Sequence, residues 1–483
     1  MKKVTLLVFV LWLSFILAAC GGGGPPAAPA SLSTGNLNLI FVVSEDVAFN
    51  ASGDIDPHTA NLTNQGLQRS LMMGTFLKQQ VLGKQNVTKI YALEPMTHLQ
   101  TTHNYPDMTA LVTIQQFALL NQFTLPFDMA SGPLYTANSF PISVSYAPGP
   151  VPRGVAIPLI PSIGCQGLDF NDQGGDNEAL LDSIIKAKVA GFYVFSAPWE
   201  TVSGLLANIN NLNGYNLALP ASYKGPNHIY AISIAPSGSA SLTTYNSNLN
   251  PPSTYPALPS AALVSSGPVQ TPFSITVTGG TGGAVIPAGI NTNETIYLIR
   301  HAEAHPQGIW DDGNNVAAGQ WRALALPNAL RGKISPNLVY SIDPAQAGII
   351  GTFIGSYVRP SLTVAPYAIA NNLPYYLAAN FEIFSQNPPK LASYTSAFFF
   401  NGGQLSNQKV LVAWEHEHIP TTINALLSSY FPNGGGPTAP DWPGDDYDTV
   451  WTVTIDASGN LTVDNAIYQG IQSSTLPATC PQF

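Results

Sequence analysis

The chain has 483 residues, enough for two or three domains, and its 45% hydrophobic content supports large cores and argues against general disorder. Only 9% of residues are charged, and 17 Lys+Arg with a net charge of −10 leave no basic footprint for a nucleic-acid binder. Any anion site must be local, built from a few converging basic groups.

The chain opens with Met1-Lys2-Lys3 and an apolar run from Val4 to Ala19, too short to span a bilayer comfortably and read as a signal segment over residues 1–19. Its ending, Leu17-Ala18-Ala19-Cys20, resembles a lipobox. That resemblance implies a bacterial cell-envelope lipoprotein held in the bilayer through acylated Cys20. Gly rather than Asp at position 21 further implies the outer membrane, facing periplasm or cell surface. Residues 20–36 begin with Gly, Pro and Ala and form a tether. With Cys20 assigned to lipid, Cys165 and Cys480 remain as a candidate disulfide in an oxidising compartment, the alternative being two separate buried thiols.

Next comes a series of short apolar strands alternating with helical stretches, and the same series recurs after the Pro/Ser/Thr/Gly-rich segment 249–289. Ile40-Phe41-Val42-Val43 before Ser44-Glu45 matches Ile296-Tyr297-Leu298-Ile299 before Arg300-His301. The helix opening Gly66-Leu67-Gln68-Arg69 matches Gly319-Gln320-Trp321-Arg322, and the strand ending Leu93-Glu94-Pro95 matches Ile342-Asp343-Pro344. Phe192 to Phe195 matches Val410 to Ala413, and Ile229 to Ile234 matches Val450 to Ile455. The expectation is two α/β domains, 37–248 and 290–483, paired with each other in one molecule, with 249–289 as a linker that includes a strand at Phe273 to Val277. Extra residues of the first copy fall between about Asp128 and Gly191.

Chemistry concentrates in the second copy. Tyr297-Leu298-Ile299-Arg300-His301-Ala302-Glu303 delivers Arg and His at the carboxyl end of a buried strand, where open α/β sheets place ligands. A neutral imidazole there can attack phosphorus if cations neutralise the phosphoryl oxygens. A second buried strand, Val410 to Trp414, ends in Glu415-His416-Glu417-His418. His416 and His418 with a carboxylate could also ligate a metal, but no further ligand cluster of recognisable spacing accompanies them.

The Arg-His strand ending, with Ala302 where glycine is usual, resembles the signature of the histidine phosphatase, or phosphoglycerate-mutase-like, superfamily, and Trp414-Glu415-His416 resembles its second histidine motif. The resemblance implies two tandem three-layer α/β/α domains of that type. It implies a metal-independent, cofactor-free phosphomonoesterase acting on a small phosphorylated substrate, with His301 as nucleophile and His416 beside the phosphoryl group. Arg300 is the first phosphate clamp. The family's second arginine is missing after Ser341, and Arg359 is the expected substitute. Glu382 or Glu303 would be the proton donor. The first copy, with Ser44 and Glu45 at the Arg-His positions, Thr109 at Arg359's and residues near Ser196 at the second histidine's, is expected to be inert. A Glu45 charge would repel phosphate by about 4 kcal/mol at contact for an effective dielectric near 20. His58, His98, His103 and His228 lie in that copy without ligand spacing and read as surface or core residues. Two other readings are a pseudophosphatase with a binding role and an anion-binding lipoprotein without turnover.

Overall fold

The computed structural model describes residues 29–124, 136–144, 167–172, 175–256, 267–305, 312–345, 347–350, 353–378 and 388–483. In the first half, strands β1 (Leu37–Val43), β2 (Lys89–Ala92), β3 (Ile142–Ser143), β4 (Gly191–Ala197), β5 (His228–Ile234) and β6 (Ala240–Asn246) make one mixed sheet. Its order is β6-β5-β1-β4-β2-β3, with β1 parallel to β4 and antiparallel to β5. All seven residues of β1 are buried, as a strand covered on both faces requires. Ile40 and Val42 point to one face, towards α1 (Asn64–Phe76) and α2 (Thr109–Leu119). Leu39, Phe41 and Val43 point to the other, towards α3 (Asp176–Ala187) and α4 (Trp199–Asn213).

The second half repeats this plan. Strands β7 (Ser274–Val277), β8 (Glu294–Arg300), β9 (Leu338–Ile342), β10 (Tyr375–Ala378), β11 (Lys409–Trp414), β12 (Thr449–Ile455) and β13 (Leu461–Tyr468) form a sheet in the order β7-β13-β12-β8-β11-β9-β10. Without β7, this is the order of the first sheet, strand for strand. Helices α5 (Ala317–Ala329) and α6 (Arg359–Asn371) cover one face, and α7 (Pro388–Phe400) and α8 (His418–Tyr430) the other. The class is α/β, with helices on both sides of each sheet.

Residues 31–483 form one compact unit. The inner faces of both sheets and the helices α1, α2, α5 and α6 share a single apolar core. Every residue of α2 is buried, including Thr109, Thr113, Gln115 and Gln116, as in a helix enclosed on all sides. Polar links cross the same layer: Gln320 Nε2 donates to Gln116 Oε1 (2.6 Å), and Asn61 Nδ2 to the Leu373 carbonyl (2.7 Å). Gly66 and Gly319 are matched for a steric reason. A Cβ at Gly66 would lie 2.0 Å from the Asp54 carbonyl oxygen, and one at Gly319 2.5 Å from that of Glu303. Glycine lets α1 and α5 close on the loop leaving the central strand.

Two expectations need correction. The segment 249–289 is more than a linker, since its strand β7 pairs antiparallel with β13, Tyr255 donates to the Leu324 carbonyl and Gln270 accepts from Trp451 Nε1. Cys480 carries a free thiol that donates to the Leu119 carbonyl at 3.3 Å, so it forms no disulfide; Cys165 lies outside the described residues, as does Cys20. Parity in a cysteine count supplies no distance, and a disulfide needs one. Among the described residues no helix is long and apolar enough to cross a membrane.

The matched prolines conceal a consequence of this packing. Glu94 and Asp343, each just before its proline, are buried, and Asp343 lies near enough for its charge to act on Glu94. Burial and the neighbouring Asp343 raise the Glu94 carboxyl well above its usual range, and burial pushes Asp343 up to about 6. An unfolded aspartate titrates near 3.9, so between there and about 6 the folded chain holds a proton that the unfolded chain has released, and stability falls as pH rises. Asp343→Asn keeps an oxygen for the Ala345 N–H and removes this loss. The melting temperature of the variant should therefore decline less than that of the parent between pH 4 and 6.5, and parallel curves would refute the linkage.

Candidate active site

β8 and β11 run parallel at the centre of the second sheet, with Arg300 opposite Trp414. The chain continues past both ends together, and the His301 N–H donates to the Trp414 carbonyl at 2.9 Å. This places His301 beside Glu415 and one step from His416. The His301 ring is buried, and its Nδ1 lies 2.7 Å from the Ala302 carbonyl oxygen. A carbonyl can only accept, so Nδ1 carries the hydrogen and Nε2 keeps a lone pair in the neutral ring. Burial, then the charges of Arg359 and Arg300, hold the imidazole pKa well below its ordinary value. The ring is therefore neutral at pH 7.

Both predicted guanidinium groups reach this ring. Arg300 and Arg359 are 6% and 2% exposed, and each lies over a tyrosine: Arg300 3.9 Å from the Tyr447 ring centre, Arg359 4.7 Å from that of Tyr357. The same tyrosines meet His301 edge-on at 6.1 and 5.9 Å. Arg300 donates to the carbonyls of Gly444 and Asp446, and among the described residues no carboxylate pairs with it. Arg359 is the first residue of α6, whose amino-terminal end adds positive potential. Burial pushes its guanidinium down to about 9, with Arg300's like charge adding to the fall. A clamp joins helix to strand: the Ala302 N–H donates to Thr363 Oγ1, and that hydroxyl donates to the Arg359 carbonyl.

Glu415 orients both histidines of its motif. Its Oε1 meets His416 Nδ1 and its Oε2 meets His418 Nδ1 at 3.1 Å. Burial would raise this carboxyl, but the two imidazoles hold it well below the usual range. Pinned through Nδ1, each ring presents Nε2 elsewhere. His416 is partly exposed and His418 is buried as the first residue of α8.

The predicted acids fare differently. Glu382 lies outside the described residues. Glu303 turns away from His301 to the fully buried Arg322, accepting Nε at 2.8 and 3.0 Å, and also accepts from Ser473 Oγ at 2.8 Å. Arg322 holds Asp448 as well, at 3.4 Å. An ion-paired carboxylate buried this way is a structural anchor rather than a proton donor. Removing one member of such a pair costs about 3–5 kcal/mol. Glu303→Gln should thus lower the denaturant midpoint markedly while turnover per folded molecule stays within about threefold; the reverse pattern would restore Glu303 as the acid.

Sequence matching missed Tyr357, Tyr447, Glu415 and Arg322 as parts of this arrangement. Glu415 lies inside the second histidine motif and Arg322 inside the repeated helix opening, but neither motif tells what the side chain will meet. The tyrosines arrive from loops whose spacing carries no periodic signal.

In the first half, strand register fixes the counterparts. Val43 lies opposite Ala197 as Ile299 lies opposite Ala413, so Ser44, Glu45 and Asp46 stand where Arg300, His301 and Ala302 do. Glu200, three residues past Ala197, stands where His416 does, a shift from the expected neighbourhood of Ser196. Thr109 begins α2 as Arg359 begins α6, and its hydroxyl donates to the Glu45 carbonyl. The expected Glu45 charge is corrected: burial and Asp54 push its carboxyl up to about 8, so it is mostly protonated at neutral pH.

No protein-family model matches the chain, and no curated protein matches it. Among solved structures it is similar to a mycobacterial glucosyl-3-phosphoglycerate phosphatase, at 12% identity over 36% of this chain and 97% of that one, TM-score 0.24. It is also similar to a provisionally assigned phosphohistidine phosphatase from Agrobacterium tumefaciens, at 20% identity over 34% of this chain and 91% of that one, TM-score 0.20. A third is a mycobacterial hydrolase at 12% identity over 37% and 92%, TM-score 0.24. Likenesses at these values concern part of the fold and assign no residue a role.

Proposed function

We propose that the chain is a metal-independent phosphomonoesterase of the histidine-phosphatase type, its second half catalytic. The observation that carries this reading is a buried imidazole, hydrogen-bonded through Nδ1, with two buried guanidinium groups around it. The Nε2 lone pair of His301 attacks phosphorus as the ester P–O bond breaks, and Arg300 and Arg359 take the charge on the phosphoryl oxygens. His416, as an imidazolium with Nδ1–H against Glu415, donates to one of those oxygens through Nε2. The departing oxygen takes a proton from Glu382, our candidate acid. Water then attacks the phosphohistidine, the P–N bond breaks, the water proton returns to Glu382, and phosphate leaves.

The test is hydrolysis of p-nitrophenyl phosphate by the full chain in detergent with EDTA present, across acidic to neutral pH. Turnover is expected. Phosphate binding without turnover would replace this reading with a non-catalytic anion site.

The repeated strand order and matched residues support descent of the two halves from one ancestral domain, with boundaries near 37–248 and 290–483, and with the first copy lacking the phosphoryl-transfer residues. We also propose that Cys20 anchors the chain to an envelope membrane. Metabolic palmitate label should appear on the full chain and disappear in Cys20→Ser; label persisting in that variant would refute the anchor.

A further inference from the structure

The first half has inverted the charge of the corresponding pocket. Around the strand ends where the second half gathers Arg300, Arg359 and His416, the first half carries carboxylates instead: Asp46 at the place of Ala302, Asp107 at that of Tyr357 and Glu200 at that of His416. Asp46 follows β1, and Asp107 lies two residues before α2, at the position Tyr357 occupies before α6. His98 joins them from the loop after β2.

The donors are aimed rather than merely adjacent. Asp46 Oδ1 accepts the Ala48 N–H at 2.6 Å, which leaves Oδ2 to meet His98 Nε2 at 2.5 Å. Asp107 Oδ1 accepts the Thr109 N–H, which leaves Oδ2 facing the same His98 nitrogen at 3.9 Å, beyond hydrogen-bonding distance. The His98 ring is stacked on Phe170 at 3.7 Å between centres, which fixes its plane. The three donor atoms lie within 4.8 Å of one another. Asp107 is wholly buried, and its Oδ2 has no hydrogen-bond partner. A buried carboxylate oxygen left this way is costly unless something positive meets it.

We propose that Asp46, His98 and Asp107 bind a divalent transition-metal ion. Three donors around such an ion, each at about 2.1 Å, sit about 3.4 Å apart, so the observed spacing needs shifts of under about an ångström. One imidazole with two carboxylates favours zinc, manganese, iron or cobalt over magnesium or calcium, which prefer all-oxygen shells. The backbone N–H groups on both Oδ1 atoms orient the carboxylates, as outer partners do at protein metal centres. Glu200, exposed at the rim, adds negative potential. The half that lacks an anion pocket thus becomes a cation holder, independently of whether the second half turns over phosphate.

The test uses the full chain without a polyhistidine tag, stripped with EDTA and dialysed against Zn²⁺ or Co²⁺. One metal ion per chain should be retained, and Co²⁺ should give visible d–d absorption. His98→Gln and Asp107→Asn should each weaken retention at least about tenfold and remove the Co²⁺ bands, while p-nitrophenyl phosphate turnover is unaffected. Circular dichroism melts check folding, and Asp46→Asn replaces either variant that fails. No retention by the parent chain would overturn the proposal. So would retention undiminished in the variants, which would put the metal elsewhere, for example at Glu415 with its two histidines.

Discussion

His301→Ala is expected to lower p-nitrophenyl phosphate turnover by at least about 10⁴-fold, because it removes the atom proposed to bond to phosphorus and no neighbour can replace it. Glu415 is ionised but already engaged by two imidazoles, and His416 is held through Nδ1 at the next strand end. The variant should keep its fold, since the lost ring makes one short-range hydrogen bond to Ala302 and edge contacts to two tyrosines. The same geometry sets a pH signature. With the imidazole pKa held well below 6.5 by burial and two guanidinium charges, the free protein keeps a neutral imidazole as pH falls through 6. kcat/KM should then show no acid limb near 6.5 attributable to this group. A variant that retained turnover, or a parent whose rate collapsed with a midpoint near 6.5, would remove His301 as nucleophile.

How much of this could be read from the sequence follows from which physical cues are local. Arg300, His301 and His416 were legible because each follows a run of buried apolar residues, and such a run ends where an α/β sheet presents side chains to a ligand. The paired halves were legible because Gly66 and Gly319 answer the same steric demand in the same order. Glu303 misled because closeness in sequence to His301 says nothing about direction, and the buried Arg322 draws its carboxylate away. The surroundings of His98 were invisible for a related reason. Its partners at positions 46 and 107 meet it only after β1 and the approach to α2 converge, so no ligand spacing appears along the chain. Glu45 was misjudged on charge because burial, which shifts its titration to about 8, depends on the packed interior.

Arg359 decides whether the lack of an arginine after Ser341 matters to the proposed site. The sequence has no arginine after Ser341, and a lone Arg300 would leave much of a phosphoryl dianion's charge unmet. The structure supplies the second guanidinium from the first turn of α6, held against β8 by Thr363 and laid over Tyr357. Tyr357 links it to His301, the ring centre lying 4.7 Å from the Arg359 guanidinium and 5.9 Å from the imidazole centre. Loss of a preorganised donor aimed at developing charge costs about 10²–10³ in kcat, near 3–4 kcal/mol. Arg359→Met should therefore lower kcat/KM by about that factor and weaken inhibition by phosphate in parallel. Arg359→Lys should recover only part of the loss, because an ammonium can neither stack on Tyr357 nor span two phosphoryl oxygens as a fork. A change below about threefold in the Met variant, with melting unaltered, would mean that Arg359 does not touch the anion. The missing arginine would then be a true deficit, and slow or absent turnover would be the natural consequence of a site with one clamp.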